Sequence, residues 1–372
     1  MINIYQPNLG PDDLAAIEKV FNSKWLGKGS VHNHFLSQLA EYLKVDPECL
    51  VLTTSCTEAI FAVLKLVKQL GTESVYAQDN SFISIPSAAY ENNLHLELLD
   101  IKSETLNVEF DLIQQKALSK NSALFLTHVG GYHGDVEIIS KFCRDNNIFL
   151  IEDAAGAFSG FVDGSALGTF GDFGVWSFDP MKSLVCGDGG LIYCKDPAHA
   201  RALQSYLYLG LPIKQQSGMD SARSIRWWEF QIERYGRRAT MNDINAAIGV
   251  NQLSKQSEYR KRRKSIYDYY NNALSEFKIP QKVNEKKEQH AHYFYWLEIE
   301  NRDELATALK SKGVYTNYRY LSLSSQQILG FNQNEFPGSK HSSECCLNIP
   351  IHASLSDADV KYIVNCIKDF YA

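Results

Sequence analysis

Residues 147–190 read NIFLIEDAAGAFSGFVDGSALGTFGDFGVWSFDPMKSLVCGDGG. An apolar run, Ile148 to Ile151, ends in Glu152-Asp153-Ala154-Ala155. A second run, Phe173 to Phe178, ends in Asp179-Pro180-Met181-Lys182. Apolar runs of this length bounded by Gly and Pro predict buried strands. In an open parallel sheet, groups just past the carboxyl ends of strands face the ligand crevice. The pattern therefore predicts that Asp153 and Lys182 share one pocket. An aspartate and a lysine so placed suit pyridoxal phosphate chemistry. The amine forms an imine with the cofactor, and the carboxylate keeps the pyridine nitrogen protonated so that the ring draws electrons.

Outward from this stretch the same alternation recurs. Leu50 to Thr54, Val75 to Ala77, His95 to Leu99 and Ala123 to His128 are β-rich runs separated by helical stretches. Strands alternating with helices imply a mainly parallel sheet with right-handed crossovers. Pro11 to Ser23 opens on a Gly-Pro break and spaces Leu14, Ile17, Val20 and Phe21 as a helix. Between the first strand and its helix stands Ser55-Cys56-Thr57-Glu58-Ala59. Two readings stand here: a phosphate seat built from free helix-end amides, or a plain N-cap. Phe82 follows the Val75 strand, where an aromatic either fills the core or covers a flat ring.

At 372 residues the chain suits two domains. The reading divides it into a large domain, 1–250, and a smaller α+β domain, 251–372. The expected link is a long helix from Gln256 to Phe277, with helices near Met241 to Leu253, Glu304 to Lys312 and from Asp357. Tyr293 to Ile299 and Val314 to Tyr320 read as further extended segments. Hydrophobic residues make up 45% and charged residues 22%, an ordinary globular balance. A net charge of -6 offers no general attraction to nucleic acid or to an anionic membrane. No apolar stretch approaches the roughly 18 residues of a membrane span. The start, MINIYQPNLG, lacks a basic region followed by an apolar core, so no secretory signal is expected. Eight cysteines without C-x-x-C spacing suggest reduced thiols and a cytoplasmic protein.

Gln204 to Arg238 is aromatic and arginine-rich, with Trp227-Trp228 and Arg223, Arg226, Arg234, Arg237 and Arg238. Such a mixture suits a subunit interface, a satisfied surface or a mononucleotide seat. The pairs His128/His133 and His290/His292 lack carboxylate or thiol companions at ligand spacing, so no metal is expected. Neither a G-x-G-x-x-G nor a Walker loop is present, which removes support for dinucleotide and P-loop readings.

The motifs together resemble the DegT/DnrJ/EryC1/StrS family of nucleotide-sugar aminotransferases, which are fold-type I, pyridoxal-phosphate-dependent enzymes. The resemblance rests on Ile151 to Ala155, Gly171-Asp172, Trp176 to Lys182 and Gly187 to Gly190, and runs nearly end to end. Trp25-Leu26-Gly27-Lys28-Gly29 resembles the family's N-terminal loop, and Ser55 to Ala59 its phosphate turn. Met241 to Gly249 and Leu347 to His352 resemble its later helix and C-terminal strand. The resemblance implies an α/β fold with a mainly parallel, seven-stranded-type sheet. It makes Lys182 the Schiff-base lysine and Asp153 the partner of the pyridine nitrogen. Phe82 matches the stacking aromatic, and Cys56, Thr57 and Ser177 match the phosphate ligands. Lys28, Trp25, Arg319 and Tyr318 are the implied substrate contacts. Two departures stand out. Gly156 occupies a position where the family often has Gln, and Gly236-Arg237-Arg238 replaces a Gly-x-Asn that reaches a phosphate across a dimer interface, making Arg238 an implied cofactor ligand.

The implied reaction moves the amino group of L-glutamate to a nucleotide-linked keto-sugar, through pyridoxal 5′-phosphate, in a homodimer. A 4-keto-6-deoxyhexose on dTDP is the expected acceptor, with C3 amination or a GDP- or UDP-sugar as alternatives. The opening Tyr5 to Gly10 and Trp25 to Gly29 look more like C4-aminating members. A related sugar dehydratase would carry histidine at the lysine position, and a non-catalytic relative would be expected to lose Lys182 or Asp153. The implied product is an amino-deoxysugar for a surface polysaccharide such as O-antigen.

Overall fold

The computed structural model describes residues 1–131, 135–212, 231–277 and 288–372. His133, Arg223, Arg226, Trp227 and Trp228 lie outside the described residues. The chain opens with helices α1 (Pro11–Ser23) and α2 (Ser30–Leu43), then alternates: β1 (Leu50–Thr53), α3 (Cys56–Gln69), β2 (Ser74–Gln78), α4 (Ser84–Glu91), β3 (His95–Leu99), α5 (Phe110–Lys116). It continues with β4 (Ser122–Thr127), α6 (Val136–Asp145), β5 (Phe149–Asp153), the short pair β6 (Phe161–Val162) and β7 (Ser165–Ala166), β8 (Phe173–Ser177), β9 (Gly190–Cys194) and α7 (Pro197–Tyr206). Two helices, α8 (Asp243–Ser254) and α9 (Gln256–Ala273), follow. The last part holds β10 (Glu288–Gln289), β11 (Trp296–Glu298), α10 (Arg302–Ser311), α11 (Pro337–Cys345), β12 (Cys346–Asn348) and α12 (Asp357–Tyr371).

Seven strands form one sheet in the order β1-β9-β8-β5-β4-β2-β3, and β9 alone runs against the others. Strand side chains alternate between faces, and here both faces are buried. Ala123 and Phe125 of β4 enter one core with helices α3, α4 and α7. Leu124 and Leu126 enter the other with α2, α5, α6 and α8. This three-layer arrangement explains why the strands read as continuous apolar runs rather than as alternating ones. A third core gathers Ile266, Tyr267 and Tyr270 of α9 with Leu297, Leu305, Leu347 and Ile363. The N-terminal segment joins it through Ile2, which pairs with Val314.

Three expectations need correcting in detail. The strand expected to end at Ile151 runs through Asp153, because Glu152 and Asp153 still pair with β4 and β8. The strand expected over Tyr293 to Ile299 contracts to β11, since the Tyr293 amide donates to the Gly130 carbonyl instead of a ladder partner. Val314 to Tyr320 makes only isolated bridges, at Val314 and Asn317.

Candidate active site

The carboxyl ends of β1, β4, β5 and β8 point the same way, and the site forms there. Glu152, fully buried in β5, fixes that end of the sheet. Its Oε1 accepts from the Phe170 and Gly171 amides at 2.7 Å each, and its Oε2 accepts from the Gly168 amide and His128 Nε2 at 2.8 Å each. The neighbouring Asp153 then turns the other way off the strand, accepting the Ala155 amide at 3.0 Å. Burial pushes its carboxyl above the ordinary carboxylate range, against the pull of the Ala155 amide and of Lys182.

Lys182 arrives from the turn after β8. The Met181 amide donates to Asp179 Oδ1 at 2.8 Å and the Lys182 amide to the Asp179 carbonyl at 3.0 Å, closing the turn. Burial alone would drive the Lys182 ammonium towards its neutral form. Tyr293, Tyr320 and Asp153 outweigh it and hold its pKa above the ordinary lysine value. Asp153 is the strongest acid of the three.

A cavity of about 530 Å³ joins these groups, within the range of small-molecule sites. Asp153 and Lys182 line it together with Cys56, Thr57, Phe82, Ser177 and Arg319. At one end stands the N-terminus of α3, where Ser55 Oγ already caps the Glu58 amide at 3.2 Å. The amides of Cys56 and Thr57, the first two of the helix, have no intrahelical acceptor and favour an anion. Gly190 lets β9 close on this turn, because a Cβ there would lie 2.7 Å from the Cys56 nitrogen. Burial raises the Cys56 thiol well above its usual range, so it stays protonated. Phe82 lines the cavity, 45% exposed, with its ring edge-on to Tyr320 at 5.7 Å.

On the other side of Lys182 stand residues the sequence did not single out. Tyr293 fills the space beside Gly156, where a Cβ would meet its ring at 2.6 Å. Its ring lies 5.1 Å from Lys182 Nζ and stacks on Tyr5 at 5.3 Å, and Arg319 covers the far face of that pair at 4.8 Å from the Tyr5 centroid. Gly156 was the signal: the missing side chain marks the place of a ring from elsewhere. Tyr320 also lines the cavity, whereas Tyr318 turns away and donates its hydroxyl to Ser342 Oγ at 2.8 Å.

Three other candidates stand apart from this cavity. Trp25 is exposed, its indole N–H donating to the Lys28 carbonyl at 2.9 Å. Lys28 Nζ and the exposed Arg238 guanidinium lie 5.6 and 5.0 Å from one ring, that of Tyr208. Their loop is anchored by Asp243, whose carboxylate accepts the Gly29, Val31 and His32 amides at 2.8, 3.2 and 2.9 Å.

A buried carboxylate, a half-buried lysine and a helix N-terminus around one cavity fit a flat, basic heteroaromatic ring carrying a phosphate. The sequence profile of the DegT/DnrJ/EryC1/StrS aminotransferase family matches residues 7–368. The chain is 37% identical over 371 residues to dTDP-4-dehydro-2,3,6-trideoxy-D-glucose 4-aminotransferase of Saccharopolyspora spinosa, covering 98% of this chain and 95% of the relative. It is 25% identical to spore coat polysaccharide biosynthesis protein SpsC of Bacillus subtilis, over 98% and 95% of the two chains. The fold matches the crystal structure of the aminotransferase TlmJ from Streptoalloteichus hindustanus with a TM-score of 0.92, at 35% identity and over 99% and 98% of the two chains.

Proposed function

The chain belongs to the DegT/DnrJ/EryC1/StrS aminotransferase family, and on that premise we propose that it transfers the amino group of L-glutamate to C4 of a dTDP-linked 4-keto-6-deoxyhexose. Pyridoxal 5′-phosphate is the cofactor, and when bound it supplies an electron sink that stabilises negative charge at the carbon exchanging a proton. Lys182 would hold it covalently, and the free Lys182 amine would be the base that moves the proton. Asp153 would face the ring nitrogen and keep its proton in place, a second cation beside the buried carboxyl in addition to Lys182. The amides of Cys56 and Thr57, with the Thr57 and Ser177 hydroxyls, hold the phosphate. Phe82 covers one face of the ring.

The nucleotide diphosphate needs cations, and Arg319 lines the same cavity. Among the described residues no carboxylate pairs with it. Lys28 and Arg238 fall outside that cavity, so in this reading they serve the site of a second subunit in a homodimer. The apolar face of the sugar meets Tyr320, which lines the cavity where Tyr318 does not. The chain divides at about residue 250 into two domains that close on the substrate from either side. The enzyme works in the cytoplasm, supplying an amino-deoxysugar for a surface polysaccharide.

One observation carries this reading: half-buried Lys182 and buried Asp153 open on one cavity whose other end is a helix N-terminus. The position and carrier follow the name of the 37%-identical relative. The test is to incubate the holoenzyme with L-glutamate and dTDP-linked 4-keto- or 3-keto-6-deoxyhexose, and to identify products by mass spectrometry. A 4-amino sugar and 2-oxoglutarate in equal amounts are expected. Turnover of the 3-keto compound alone would move the reaction to C3, and turnover of neither would overturn the substrate class.

A further inference from the structure

A second cavity, of about 30 Å³, lies behind Lys182. That volume admits one or two water-sized occupants and excludes an amino acid or a sugar. Four buried polar atoms without a hydrogen-bond partner belong to residues that line it: the Tyr5 hydroxyl, Ser183 Oγ, Arg263 Nη2 and His352 Nδ1. They come from four separate places, namely the N-terminal segment, the turn after β8, helix α9 and the loop before α12. Orphaned polar atoms gathered at one cavity mark a bound occupant.

Charge identifies the occupant. Arg263 is only 3% exposed, and its Nε donates to the Ala291 carbonyl at 3.0 Å. Among the described residues no carboxylate pairs with it, and burial lowers its pKa to about 10. The cationic side chains lining the cavity are Lys182, which already faces Asp153, and Arg263, which faces no carboxylate, and among the described residues no Asp or Glu lines it. Water would satisfy the hydrogen bonds yet leave the buried Arg263 cation uncompensated, which is costly.

We propose that this cavity binds a single halide ion, chloride in ordinary media, held by Arg263 Nη2 with the Tyr5 and Ser183 hydroxyls donating to it. His352 Nε2 lies 3.1 Å from the Asn3 carbonyl, so Nε2 carries the ring proton and Nδ1 is bare. The remaining space takes one water, which donates to that nitrogen. The ion neutralises the cationic rear of the site and ties the N-terminal segment to α9. The inference stands on this cavity alone and does not depend on the sugar substrate.

Crystals of the holoenzyme grown in sodium bromide, measured at the bromine absorption edge, test it directly. An anomalous peak within hydrogen-bond distance of Arg263 Nη2 is expected, and density there without anomalous signal overturns the proposal. In solution, the Tm of the holoenzyme in sodium gluconate should rise and saturate as bromide replaces gluconate at constant ionic strength. The Arg263→Met variant should lose that response. Should this variant not fold, Ser183→Ala keeps the test, because removing one donor should move the midpoint several-fold higher. A wild-type Tm indifferent to halide, or a midpoint unmoved by Ser183→Ala, also overturns the proposal.

Discussion

Burial lowers the Lys28 ammonium to about 8, so it is charged below that pH and neutral above it. A diphosphate binds the charged form. The KM for the nucleotide sugar should therefore stay flat below pH 8 and climb above it, by up to about tenfold per unit. Steady-state kinetics from pH 6.5 to 9.5 check this, and Lys28→Met should raise KM and abolish the slope. A flat wild-type profile would remove Lys28 from the diphosphate. Asp153→Asn is the other decisive change at this scale. A neutral amide cannot hold a protonated ring nitrogen, so kcat should fall on the order of 10²-fold or more while the absorbance of the bound cofactor persists. Near-normal turnover would refute the role. Lys182 and Asp153 were legible because each sits where an apolar strand run stops, a position that topology alone aims at the crevice. Tyr293 was not. It belongs to another part of the chain, and only the clash a Cβ at Gly156 would make shows that the two positions share one space.

One side chain ties the end of strand β5 to the loop before β8. Glu152 accepts four hydrogen bonds in full burial, three from backbone amides of 168–171 and one from His128. In Glu152→Gln one amide group would point donors at donors, which costs about 2–4 kcal/mol. Thermal unfolding of the two proteins should show a clearly lower Tm for the variant, and an equal Tm would contradict this account of the loop. The central strands were readable because burial on both faces makes them apolar throughout and short. The reversed direction of β9 was not, since a run such as Leu191 to Cys194 carries no sign of which way it crosses the sheet. The two-residue strands β6, β7 and β10 were likewise too short for any periodicity.

The cavity is a property of the whole molecule. Its floor comes from the sheet, while Arg319 and Tyr320 come from the later part of the chain. Two clamps hold those parts together: buried Asp79 accepts from the Ser324 amide and hydroxyl at 2.6 and 2.8 Å, and half-buried Asp100 accepts the Gly338 and Ser339 amides at 2.9 Å each. Leu209, Ile232 and Tyr235, close to Arg238 in sequence, leave apolar side chains exposed, which a second copy would cover. Sedimentation should show a dimer. Co-expression of Lys182→Ala with Arg238→Ala should restore activity to mixed dimers, since one of their two sites is intact. A fully active monomer, or no restoration, would rule out a shared site. The central claim is that Lys182 carries the cofactor, and borohydride reduction of the holoenzyme followed by peptide mapping tests it most directly. The pyridoxyl group is predicted on the peptide containing Lys182; its recovery on any other lysine would contradict the account.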